Sequence, residues 1–107
     1  MSPLQSITVQ DLHAKITAGD DFQLIDVREP DEYAQAAISG SKLIPLASIP
    51  ARIGEINPAK AVIIHCKAGG RSARAAQFLL DNGYTNVTNV TGGMDAWLDA
   101  ALPTSQA

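Results

Sequence analysis

The chain has 107 residues, of which 46% are hydrophobic and 18% charged, and a formal net charge of −3 at neutral pH. Such a length and composition make one domain with enough apolar material for a core, and exclude two domains or a disordered chain. A mildly acidic chain with no basic run is not built for nucleic acid or an anionic membrane, so any anion it binds must be held by a local positive patch.

The first helix signal is Thr8-Val9-Gln10-Asp11, a hydroxyl followed three residues later by a carboxylate. Leu12 and Ile16 then lie one turn apart, and Gly19 ends the element. Phe22 to Val27 is a short, nearly continuous apolar run, as in a strand buried on both faces. Glu29 to Gln35 predicts a short helix, with Pro30 tolerated in its first turn. Lys42-Leu43-Ile44 is a shorter strand candidate, and Ser48 to Ile56 reads as one short helix with Ile49, Ile53 and Ile56 on one side. Ala61 to His65 is the second strong strand. The clearest helix runs from Ser72 to about Asn82, where Ala75, Ala76, Leu79 and Leu80 form one apolar face and Gly83 closes it. Asn86 to Val90 gives a last strand. Met94, Trp97 and Leu98 give a last short helix after Gly92-Gly93. The ends, Met1 to Ser6 and Thr104 to Ala107, read as loose. Strands alternating with helices define an α/β domain with a mainly parallel sheet, whose ligands bind beyond the carboxyl ends of the strands.

That rule points to Cys66-Lys67-Ala68-Gly69-Gly70-Arg71-Ser72, set between the most apolar strand and the best helix. Gly69 and Gly70 accept backbone angles closed to other residues, so successive N–H groups can turn inward as an anion nest. Ser72 stands at the helix start, where free N–H groups and the helix dipole favour negative charge. Lys67 and Arg71 add two cations, with Arg74 one step further. A cysteine at the mouth of such a nest is expected to have a depressed pKa and to be a thiolate at neutral pH. The residues leave two chemistries open: attack on sulfur, or attack on an oxyanion of phosphorus or arsenic. Cys66 is the only cysteine, which excludes an internal disulfide, a C-x-x-C pair and a thiolate-rich zinc site. Two separated histidines make no metal site either, and no cofactor is called for.

The loop resembles the active-site loop of rhodanese-domain sulfurtransferases, and the likeness extends past it. Leu24-Ile25-Asp26-Val27-Arg28-Glu29-Pro30 followed by Glu32-Tyr33 is similar to that family's first strand and turn. Ile38-x-Gly40 and Ile44-Pro45-Leu46 resemble its next segment, and Thr91-Gly92-Gly93-Met94-x-Ala96-Trp97 its C-terminal signature. Together they cover roughly Ile7 to Leu102 and set a domain of residues 7–102 with short extensions 1–6 and 103–107. The resemblance implies a rhodanese-like fold, a mainly parallel five-stranded sheet flanked by helices on both faces. It implies a double displacement in which catalytic Cys66 takes sulfur from thiosulfate or a similar anionic donor and passes it to cyanide, a thiol or a partner protein. By the family pattern the backbone of Lys67, Ala68, Gly69, Gly70, Arg71 and Ser72 binds the substrate sulfur, with Lys67 and Arg71 orienting the donor. One stretch departs from the pattern: Ala36-Ala37-Ile38 stands where the family often has Gly-His-Ile.

A cysteine phosphatase or arsenate reductase on the same fold would need one more residue between cysteine and arginine, and an acid in the loop. A non-catalytic binding module commonly lacks the cysteine, whereas a passive sulfur carrier would accept sulfur from a dedicated partner and show little turnover with thiosulfate. His65 precedes Cys66 on a strand, so it points to the opposite face and reads as a hydrogen-bonded strand residue rather than a general base. Asp26 reads as a buried structural carboxylate bonded to loop amides, Arg28 as its salt-bridge partner, His13 as exposed, and Trp97 as a core anchor. No apolar stretch reaches the length of a bilayer span, and Met1 to Lys15 lacks the pattern of a secretory signal, which sets the expectation of a cytoplasmic protein. Nothing demands more than a monomer, and an open loop with no lid leaves Cys66 within reach of a partner.

Overall fold

The computed structural model describes residues 4–105. Helix α1 (Val9–Ala18) starts at Thr8, whose hydroxyl accepts from the Asp11 N–H at 3.1 Å while the Asp11 carboxylate accepts from the Thr8 N–H at 3.4 Å. This reciprocal pair satisfies two donors that a helix start leaves free. Strand β2 (Gln23–Asp26) and helix α2 (Pro30–Gln35) follow, the latter with Pro30 as its first residue. Beyond β3 (Lys42–Leu43), the single helix expected over Ser48 to Ile56 is three pieces: a 3-10 turn at Leu46–Ser48, α3 (Ile49–Arg52) and a second 3-10 turn at Ile53–Glu55. Pro50 stands in the first turn of α3, where its missing N–H costs nothing, and the chain leaves the α-helix at Arg52, whose φ of −110° and ψ of 13° are not helical. Strand β4 (Val62–His65) leads to α4 (Gly70–Asp81), which begins two residues before Ser72. Strand β5 (Val87–Val90) and α5 (Gly93–Asp99) complete the order.

The ends are more ordered than the sequence suggests. Gln5–Ile7 is a strand, β1, paired in parallel with β5 from Gln5 opposite Thr88 to Ile7 opposite Val90. An edge strand needs one row of backbone bonds and little apolar surface, so Gln5 and Ser6 gave no pattern to read. Ser105 and Ala37 exchange two backbone hydrogen bonds of 2.8 Å, which places Ala37, at the departure from Gly-His-Ile, against the C-terminal segment. The expectation for residues 1–3, 106 and 107 lies outside the described residues.

The five strands run in the order β1-β5-β4-β2-β3, every pair parallel. Alternate side chains feed two cores. Ile25, Val62, Ile64 and Val87 pack with Ala75, Ala76 and Leu79 of α4 and Ile49 of α3 on one face. Leu24, Ile63 and Val90 pack with Val9 and Leu12 of α1 and Met94 and Trp97 of α5 on the other. Trp97 is a buried anchor whose indole N–H donates to the Pro103 carbonyl at 2.8 Å. From β2 the chain moves outward to β3, and from β4 it moves the opposite way to β5. The crevice between those diverging connections is where a ligand site is expected in such a sheet, and Cys66 follows β4 there.

Candidate active site

The loop after β4 is shaped by one glycine. Gly69 has φ 114°, a conformation open to glycine, and is the N-cap of α4. Gly70 has no positive φ, and a Cβ on it would meet nothing within 4 Å, so the special backbone expected of both glycines is required only at Gly69. The turn brings the Gly69 N–H to 3.1 Å and the Ser72 hydroxyl to 3.3 Å from Cys66 Sγ. Burial pushes the Cys66 thiol up. The Ser72 hydroxyl and the N–H groups of Ser72, Gly69 and Ala68 outweigh it, so the pKa lies below the ordinary thiol value. Cys66 is 1% exposed, so the loop itself closes over the sulfur that the sequence reading left open.

Helix α5 fixes the loop from the other side. The N–H groups of Met94 and Asp95 donate to the carbonyls of Cys66 and Lys67 at 2.8 and 2.9 Å. Gly93, at φ 53°, allows this approach, since a Cβ there would overlap the Cys66 carbonyl oxygen and lie 2.8 Å from that of Lys67.

The two cations next to the thiol are not free. Lys67 Nζ lies 3.1 Å from Asp95 Oδ2, and the Arg71 guanidinium makes a two-pronged bond to Glu32 at 2.8 and 3.0 Å. Arg71 hydrogen bonds, with help from the Glu29 N–H and against burial, hold the Glu32 carboxyl at about 2, while Glu32 raises the Arg71 pKa. The local positive patch expected from the sequence is therefore neutralised by carboxylates from α2 and α5. Beside it a cleft of about 140 Å³ is lined by Glu32, Lys67, Met94, Asp95 and the exposed Leu98. A larger hollow of about 460 Å³ lies at the amino ends of the strands, among Lys15, Asp20, Asp21 and Asn86. It is remote from the thiol.

Asp26 and Arg28 form a buried pair at 2.7 Å, and Arg28 also donates to the carbonyls of Glu32 and Ala36, tying β2 to α2. Asp26 accepts the Arg28 backbone N–H at 2.9 Å. His65 points away from Cys66, as alternation requires, but it is not hydrogen-bonded: among the described residues neither ring nitrogen has a partner, and Asp26 Oδ2 is 3.6 Å from Nε2. Burial pushes its pKa down, which keeps it neutral beside the carboxylate. His13 is half-buried, edge-on to Trp97 with ring centroids 5.8 Å apart.

Three residues at the site were not singled out from the sequence. Glu32 and Asp95 pair with residues 39 and 28 positions away, a separation that carries no local signal. Asn89 on β5 lies 2.6 Å from the Ser72 hydroxyl. Its signal was an amide in a strand otherwise bounded by valines, on the face that Val87 turns to the core.

In this parallel α/β domain the cysteine sulfur sits between the Gly69 N–H and the Ser72 hydroxyl at the start of α4. The chain belongs to the rhodanese-like domain family, whose model matches residues 8–100. A protein of Allochromatium vinosum named "Sulfurtransferase" is 35% identical over 100 residues, which cover 94% of each chain. "Rhodanese-like/PpiC domain-containing protein 12, chloroplastic" of Arabidopsis thaliana is 38% identical over 112 residues; the match covers 95% of this chain but only 38% of that longer protein. The crystal structure of a rhodanese-like domain protein from Staphylococcus aureus is similar at a TM-score of 0.82 and 37% identity, over 88% of this chain and 91% of the other. Family and relatives support sulfur transfer as the general chemistry here, and the parallel five-stranded fold implied by the resemblance is the fold observed. No helix among the described residues is long and apolar enough to cross a membrane.

Proposed function

We propose that this protein moves a sulfane sulfur from thiosulfate or a similar donor to a thiophilic acceptor, whether cyanide, a thiol or a protein, through a persulfide on Cys66. The observation that carries the reading is the set of donors converging on Cys66 Sγ: the Gly69 N–H at 3.1 Å and the Ser72 hydroxyl at 3.3 Å, at the start of α4. In the first step the Cys66 thiolate attacks the outer sulfur of the donor. The donor's S–S bond breaks and, with thiosulfate, sulfite leaves with the bonding pair. The outer sulfur of the new persulfide carries negative charge, which the inward N–H groups of the Lys67–Ser72 loop stabilise without having to reorient. In the second step the acceptor attacks that outer sulfur and Cys66 departs as a thiolate.

Lys67 meets the donor by exchanging Asp95 for it, whereas Arg71, held by Glu32, supports the loop from the side. A single reactive thiol suits a reducing compartment such as the cytoplasm, and the domain, which takes in β1 from Gln5 and the Ser105 pairing beyond the expected bounds 7–102, works as a monomer. Cys66→Ser abolishes transfer, because a hydroxyl is not ionised here; turnover retained in that variant overturns the assignment. The paired cations, which leave less charge for a small free anion, also favour a second reading, a carrier loaded by a partner protein. A carrier forms the same persulfide but turns over thiosulfate slowly, so multiple-turnover thiocyanate formation from thiosulfate and cyanide separates the two.

A further inference from the structure

Asn89 is an amide where β5 faces the core. Val87 and Asn89 turn towards α4, Val90 towards the opposite core. Asn89 is 8% exposed, so its polar atoms have little water and need partners in the protein. Both partners belong to the cysteine loop: Oδ1 lies 2.6 Å from Ser72 Oγ, and Nδ2 lies 3.4 Å from the Gly69 carbonyl. Ser72 Oγ in turn is 3.3 Å from Cys66 Sγ and 3.2 Å from the Gly69 carbonyl. The hydroxyl thus has one proton and three acceptors within reach. The Gly69 carbonyl, one turn back on the same helix, is the acceptor a serine takes by default, and a hydroxyl spent there gives nothing to the sulfur.

We propose that Asn89 is a positioning residue: it holds the Ser72 hydroxyl beside Cys66 and, through the orientation of its amide, directs the hydroxyl proton to or from the sulfur. With Oδ1 towards Ser72, the amide takes the hydroxyl proton and Ser72 Oγ is open to the S–H of the neutral thiol. With the amide turned over, Nδ2 donates to Ser72 Oγ and frees the hydroxyl proton for the thiolate or the persulfide. The observed orientation also gives Nδ2 to the Gly69 carbonyl at 3.4 Å; turning the amide over gives up that bond and sets Oδ1 against the carbonyl, so the turned state is favoured only when a charged sulfur takes the hydroxyl proton.

The charged groups around the thiol are otherwise committed. Arg71 on α4 is held by Glu32 of α2 with Glu29 near it, and Lys67 by Asp95 of α5. His65 lies on the far face of β4 with Asp26 and Arg28. Among the described residues none of these hydrogen-bonds Ser72 or Asn89, so the uncharged pair sets the finer balance of the thiol's ionisation.

The test is the ultraviolet titration of the Cys66 thiolate, with Cys66→Ser subtracted as baseline, in wild type, Asn89→Ala, Ser72→Ala and the double variant. Asn89→Ala raises the midpoint by about one pH unit, a tenfold loss of thiolate at pH values below the midpoint, the size of one hydrogen bond to a charged group. Asn89→Asp, of the same shape but able only to accept, raises it further, in part through its own negative charge, and is read only beside Asn89→Ala. The double variant titrates like Ser72→Ala alone, because Asn89 acts through that hydroxyl. A midpoint unchanged in Asn89→Ala overturns the proposal. So does an Asn89→Ala shift that persists in full without Ser72, which would mean that Asn89 acts through the fold. If Asn89→Ala does not fold, the uncharged and nearly isosteric Asn89→Leu carries the same comparison. The titration reads the thiol directly, so its outcome is independent of whether thiosulfate, or any donor, loads Cys66.

Discussion

Replacing Glu32 by glutamine removes the charge that clamps Arg71 and keeps the shape of the side chain. In the native protein the carboxylate accepts from both Arg71 prongs, at 2.8 and 3.0 Å, and from the Glu29 N–H at 3.0 Å. Those bonds, Arg71 foremost, hold its pKa at about 2 against an ordinary 4.5. A depression of that size corresponds to roughly 3 kcal/mol of folding stability. The two side chains are 25% and 29% exposed, and solvent screening reduces the figure to about 2 kcal/mol. Because the folded pKa lies below the unfolded one, this stability is present in full above pH 4.5 and is lost as the pH falls towards 2. Urea unfolding of wild type and Glu32→Gln across that range is expected to show a gap of about 2 kcal/mol near neutrality that closes in acid. The Glu55 carboxyl, held at about 2 chiefly by Arg52 with Lys42, titrates in the same window but is common to both proteins and cancels in the difference. No gap near neutrality, or a gap that stays constant in acid, refutes the clamp.

Three further perturbations probe the frame of the site. Gly93→Ala forces a side chain into a left-handed conformation and into the Cys66 carbonyl; it is expected to destabilise the fold by about 3 kcal/mol and to lower transfer activity in the folded fraction, and native stability in a denaturant melt contradicts the packing described. Asp95→Asn releases Lys67 and should lower KM for thiosulfate several-fold at low salt, an effect that fades as salt rises; an unchanged KM means Lys67 does not meet the donor. Burial keeps the folded pKa of His65 below 6.5, so the unfolded chain takes the proton first and stability falls as the pH drops below 6.5. His65→Leu is expected to flatten that slope in denaturant melts, and an unchanged slope removes His65 as its source.

The cysteine loop was legible because its chemistry is contiguous: thiol, glycine turn, cations and helix start lie within Cys66–Ser72. The alternation of apolar strands and amphipathic helices likewise gave the parallel sheet. Interactions between distant segments were not legible. The spacing of Lys67 and Arg71 suggested a positive patch, and only folding brings Glu32 and Asp95 to neutralise it. Strand β1 escaped because a backbone-paired edge needs no apolar alternation, and Asn89 because an amide in a strand has no meaning until Ser72 is seen opposite it. His65 was assigned a hydrogen bond that the buried ring does not make.

The central claim is that Cys66 carries the transferred sulfur, and intact mass of the purified protein before and after thiosulfate, with and without a thiol reductant, tests it most directly. The account predicts a gain of one sulfur atom that the reductant removes and that Cys66→Ser does not show. A sulfur gained equally by Cys66→Ser, or no gain from thiosulfate or an organic persulfide while Cys66 remains open to alkylation, contradicts it.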